Sequence, residues 1–108
     1  MKTLRLLTLA LGVSLASMAA HAQDANAARA LLKKNDCFKC HALDKKKDGP
    51  SYKEVASKHK GEAGAADTLF KHMTTSPMVE VEGKKEEHKQ IKGTDQEINN
   101  LIGWILSL

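Results

Sequence analysis

The chain is poor in the residues that usually hold a small protein together or let it grip nucleic acid. Its 108 residues include only two cysteines, two prolines, two phenylalanines, one tryptophan and one tyrosine. Two cysteines cannot build a disulfide-dense scaffold, nor two cysteine pairs around a structural zinc. So few aromatic rings leave little for bases to stack on. Lys and Glu alternate along the sequence without gathering into one basic stripe, so nucleic acid is not an expected partner. Long apolar runs are missing too, apart from "LLTLALGVSLASMAA" near the start. That run is short for a span of about 20 residues. Lys2 and Arg5 precede it and the small-x-small pattern "AHA" at 20–22 closes it, the layout of a secretory leader. We therefore expect a signal peptide over 1–22 and one small domain over 23–108.

That domain would keep 86 of the 108 residues once 22 are removed, with 15 basic side chains against 13 acidic ones, a net charge of only about +2. Lysines 45–47 are its densest basic run and read first as a solvated turn. With so little apolar and aromatic material, a domain of this size needs a staple: a disulfide, a metal or a cofactor.

The hydrophobic spacing is helical. "ANAARALLKKN" (25–35) is rich in strong helix formers and sets Ala27, Ala28, Leu31 and Leu32 along one side. Near the other end, Thr94 and Glu97 have capping-box spacing. Behind them Ile98, Leu101, Ile102, Ile105 and Leu106 form an amphipathic stripe. "SYKEVASKHK" and "AADTLFKHM" read as two shorter helices parted by Gly61 and Gly64. Gly49-Pro50 and Pro77 break the chain around them. "MVEVE" is too short and too charged to read as a strand. The expectation is an all-α domain of four or five short helices with long loops.

Residues 37–41 read "CFKCH". A redox dithiol has no use for the histidine, and zinc lacks its further ligands. Covalent haem attachment uses all three side chains. Two intervening residues let one helical turn offer both thiols, Cys37 and Cys40, to the porphyrin's vinyl groups. The adjacent His41 is then held beneath the ring as proximal ligand. One haem c per chain would also supply the missing apolar core.

"CHALDKKKDGPSYKEVASKHKGEAGA" (40–65), followed by a terminal helix ending "IGWILSL", closely resembles the small bacterial class I cytochromes c of the cytochrome c-551 type. The resemblance covers nearly all of 23–108. It implies a class I cytochrome c fold in which the first and last helices cross and the haem lies in a crevice with one edge near solvent. It further implies that the Pro50 carbonyl accepts the Nδ1 proton of His41. Tyr52 and Trp104 become haem-pocket or helix-crossing residues, with ordinary core packing as the plainer reading. Leu32 stands where the first helix should meet the last.

The distal side departs from the family pattern. There the ligand methionine precedes prolines and lies about sixteen residues before the tryptophan of the terminal helix. Counting back from Trp104 reaches His88, followed by Lys89 and Gln90. Met78, which follows Pro77, is the alternative, at the cost of ten extra residues before the last helix. A third reading leaves the sixth position open or filled by a weaker donor and makes His88 a surface residue in a charged loop. His59 and His72 fall on the middle helices and are expected to be exposed. The count favours His88, and a His41/His88 pair implies a lower potential than His/Met.

With both axial positions filled, no site remains for a substrate, so the expected function is one-electron transfer and not catalysis. Its partners would be larger periplasmic or membrane-bound redox proteins met transiently, with lysines among 45–47 and 84–85 as steering charges. The protein would be a periplasmic monomer. The competing function is a haem sensor or ligand binder in which His88 detaches. The loop has few apolar residues to hold it down.

Overall fold

The computed structural model describes residues 23–108. The expected leader, 1–22, and its cleavage site lie outside them or at their edge. Four helices are present: α1 (Ala25–Lys34), α2 (Tyr52–His59), α3 (Ala65–Thr74) and α4 (Asp95–Leu106). Each starts where the local chemistry directs. The side chains of Asp24 and Ser51 accept hydrogen bonds from Ala27 N–H and Glu54 N–H. Thr94 and Glu97 complete the expected capping box of α4. Gly64, at φ 80°, turns the chain into α3 in a conformation that a side chain would disfavour.

Helix α1 packs on α4. Ala28 and Leu32 meet Leu101, Trp104 and Ile105, with Tyr52 closing the cluster. Ala28 and Leu101 have no exposed surface, so the small residue lets the two helices approach closely. Leu32 is at the contact with the last helix that its position implied. Leu69 from α3 joins Ile98 and Ile102 in a second patch on α4. Helix α4 is thus the spine that α1, α2 and α3 all touch. The Asn100 side chain ties α4 to the start of α1, accepting from Asp24 N–H (2.8 Å) and donating to Asp24 C=O (3.0 Å). Among the described residues no helix is long and apolar enough to cross a membrane.

The all-helical expectation needs one correction. Residues 78–87 fold into an antiparallel hairpin, β1 (Met78–Val81) and β2 (Lys84–Glu87), with Met78 opposite Glu87 and Val81 opposite Lys84. Glu82 and Gly83 make its turn at φ 50° and 78°. Two consecutive residues of positive φ match the right-handed twist of the strands, and glycine at the second makes that cheap. Turn geometry and cross-strand pairs such as Glu80 with Lys85 carry this element. Burial contributes only Val79 and Val81, which are half-buried on one face of β1. The hairpin is minor beside the helices, and the class I cytochrome c fold stands.

Candidate haem site

The attachment motif forms a single 3-10 turn over Cys37–Lys39, entered through Asp36 in the left-handed region at φ 57°. Cys40 N–H and His41 N–H both donate to Cys37 C=O, at 3.2 and 2.9 Å. This winding gathers the two thiols and the imidazole onto one short arc. Burial raises the pKa of the Cys37 thiol, an effect that nearby Lys89 partly offsets.

His41 is held from behind. Its Nδ1–H donates to Pro50 C=O at 2.7 Å, which leaves Nε2 to face a metal. The ring stacks on Tyr52 with centroids 5.2 Å apart and planes 24° apart. Tyr52 in turn lies 6.5 Å from Trp104. Both rings are buried in the α1–α4 core, so these two pocket candidates also carry ordinary packing, and Tyr52 does so while touching the His41 imidazole. Burial also pushes the Tyr52 phenol pKa up. Gly49 makes room for the ring: a Cβ there would stand 2.5 Å from His41 Cε1 and 2.9 Å from Nδ1. Gly49 N–H donates to Cys40 C=O at 2.7 Å, which fixes this close approach.

Across from His41 lies His88. The two ring centroids are 6.2 Å apart. An imidazole nitrogen binds a first-row metal at about 2 Å and sits about 1.1 Å from its own ring centre, so two trans imidazoles place their centroids about 6 Å apart. His88 Nδ1 is buried with no hydrogen-bond partner among the described residues. A half-buried imidazole with one buried, unanswered nitrogen, at that spacing from a second imidazole, fits an iron between the rings. Met78, the first residue of β1, is 59 % exposed. Of the two distal candidates, the fold brings only the histidine towards His41.

Three features escaped the sequence reading. His72, expected to be a solvated helix residue, is exposed overall but lays its ring 4.5 Å from that of His88. Burial lowers the pKa of His88, with His72 and His41 adding to the effect. Burial also lowers that of His72, with His41 adding. His59 is not exposed as expected, for its side chain is only 11 % accessible and its Nδ1 lies 2.8 Å from Glu62. The third is the fixing of the distal segment. His88 N–H donates to Pro77 C=O and Ile91 N–H to Met73 C=O, both at 2.8 Å. Lys92 is bonded on both sides by Asn35. The expectation of a loosely held charged loop is corrected: backbone hydrogen bonds hold it, and Ile91 packs against both parts of the core.

A helical fold wrapped on α4, with a CxxCH turn facing a second imidazole, defines a class I c-type cytochrome. The cytochrome c family pattern matches residues 25–108, and the chain belongs to that family, in its c-551 type. It is 39% identical to cytochrome c-551 of Stutzerimonas stutzeri over 117 aligned positions, covering 100% of this chain and 99% of that one. It is 43% identical to cytochrome c-551 of Pseudomonas aeruginosa over 64% of each chain. Among solved structures, the class 1 cytochrome MtoD of Sideroxydans lithotrophicus ES-1 superposes with a TM-score of 0.78 at 48% identity, covering 80% of this chain and 97% of that one. Cytochrome c552 of Nitrosomonas europaea gives 0.60 at 27% identity, over 74% and 98%. Members of this family are electron carriers and not enzymes, and their cofactor is covalently bound haem c.

Proposed function

We propose that this cytochrome shuttles single electrons in the periplasm through a haem attached at Cys37 and Cys40 and ligated by His41 and His88. The observation that carries the reading is the 6.2 Å spacing of the two imidazoles, with Met78 exposed. The bound haem supplies the one-electron chemistry. The chain's own work is to hold both imidazoles. Pro50 C=O accepts from His41 Nδ1 and makes the ring more electron-rich. Tyr52 and Gly49 fix the plane of that ring. With two imidazoles, the ferric state is favoured more than with a thioether, so the potential lies below that of His/Met relatives.

Cleavage after Ala22 would leave Gln23 and the Asp24 cap as the first residues of the exported domain, a monomer. Larger redox proteins are its partners, met briefly at the haem edge. Lys39 is largely exposed beside the attachment turn, and Lys45 to Lys47 sit on the loop that follows it. Lys47 Nζ also donates to Phe38 C=O at 2.6 Å. These charges steer an acidic partner, so its turnover should fall with ionic strength. Lys85 is a weaker candidate because Glu80 faces it across the hairpin.

The deciding experiment is an absorption spectrum of the oxidised protein. Methionine on ferric haem gives a weak far-red band that two imidazoles do not. We expect no such band in the native protein or in Met78→Ala, and its appearance with a raised potential in His88→Met. A native band that Met78→Ala abolishes would overturn the assignment.

A further inference from the structure

We infer that Asn35 is the positioning residue that keeps the distal histidine on the iron, a role that rests on His88 being the ligand. Asn35 is only 3% exposed, and with Ser51 it is one of two buried polar residues among those described. Ser51 caps α2. Asn35 ends α1, where its own N–H bonds to Leu31 C=O, and it spends its side chain elsewhere. Nδ2 donates to Leu31 C=O (3.0 Å) and to Lys92 C=O (3.1 Å), while Oδ1 accepts from Lys92 N–H (2.8 Å). The amide thus answers both backbone groups of Lys92, as a neighbouring strand would.

Lys92 lies four residues after His88, and the path between them is fixed at three points: Pro77 to His88, Met73 to Ile91, and Asn35 to Lys92. Only the last point joins the distal segment to the helix that leads into Cys37. Ile91 also packs on the α1–α4 core but gives no direction to the backbone, and the pair of Lys89 with Asp36 at 3.4 Å is between exposed side chains and contributes little. For His88 to leave the iron, the stretch 88–92 must swing away from α1 and α3. With Asn35 in place, that motion strips two backbone groups of Lys92 and a buried amide of their partners. Without it, Lys92 loses nothing by moving. A buried amide costs free energy unless it is bonded, so filling the core does not explain an asparagine here. Clamping the ligand segment does.

The test uses the reduced, haem-loaded protein with carbon monoxide as probe. The native protein should bind little carbon monoxide and His88→Ala should bind it readily. Asn35→Ala should raise the association constant about tenfold or more over native, the scale expected when buried hydrogen-bonding groups lose their partners. Asn100→Ala is the matched control. It removes the corresponding two-bond clamp on Asp24, at the far end of α1, and should stay at the native value even if it loses as much stability. Asn35→Asp, which keeps the acceptor for Lys92 N–H, should fall between and serves if the alanine variant fails to load haem. Equal carbon monoxide binding by the Asn35 variants and Asn100→Ala, with His88→Ala binding strongly, overturns the positioning role alone. A His88→Ala variant indistinguishable from native overturns the ligand assignment and the inference with it.

Discussion

Replacing Gly49 with alanine tests how the proximal side is built. Gly49 has no positive φ, so its backbone conformation suits any residue. What it supplies is space, since an added Cβ would lie 2.5 Å from His41 Cε1 and 3.0 Å from Nε2. Carbon atoms in contact prefer about 3.5–4.0 Å, so the ring or the 49–50 backbone must retreat by about 1 Å. The backbone is pinned by the Gly49 to Cys40 bond, so the ring gives way. Overpacking of this kind costs about 1–3 kcal/mol. A retreat of that size also takes His41 Nδ1 out of reach of Pro50 C=O, now 2.7 Å away. The bond favours the ferric state. If it is worth about 0.5–1.5 kcal/mol, its loss raises the potential by about 20–65 mV, on the scale of 59 mV per tenfold for one electron. Voltammetry and thermal unfolding of the haem-loaded variant measure the two effects. A Gly49→Ala protein with native melting temperature and native potential would refute the reasoning.

Replacing residues 78–87 with Gly-Gly should leave the haem spectrum unchanged and cost little stability, because an isolated two-stranded hairpin is marginal; spectroscopy and urea titration check this. Leu32→Ala should destabilise the protein by about 2–5 kcal/mol, read as a lower urea midpoint with the spectrum retained. Acid should weaken the fold through His72, whose pKa burial holds below the ordinary imidazole value of about 6.5. As pH falls through that value the unfolded chain takes up protons that the folded one refuses, so stability is full above it and declines below it. Urea midpoints at neutral pH and near pH 5 should show the decline, and His72→Gln should reduce it.

The helices and the attachment turn were legible because their causes are local. Thr94 and Glu97 cap α4 within one turn, and the stripe behind them has one period. "CFKCH" packs attachment and proximal ligation into five residues. The hairpin was not legible, because neither face is fully buried and the half-buried one is only two valines long. All of β2 is exposed, so burial alternates only over the four residues of β1, where Val79 and Val81 are half-buried, and the turn at Glu82-Gly83 was the stronger cue. His72 was set aside as a surface residue because helical spacing says nothing about which loop folds over an exposed face. Asn35 looked like the residue that stops a helix, as it does. Its second partner is 57 positions away, and no local pattern points there.

Counting back from Trp104 reaches the residue whose ring lies 6.2 Å from that of His41, although a hairpin intervenes, for a reason visible in the bonds. Pro77 C=O accepts from His88 N–H, so the chain leaves at residue 77 and returns at residue 88 to nearly the same place. The ten residues between them close on themselves and shift nothing beyond. Downstream, the segment leading to α4 is held at three points: Ile91 on Met73, Lys92 on Asn35, and Thr94 as cap. The position opposite His41 is therefore measured from the terminal helix, and insertions upstream do not alter it. The scaffold fixes where a donor stands, while the side chain at that position decides which donor it is. A change from thioether to imidazole then needs one residue at position 88 and a backbone held firmly enough to keep it there.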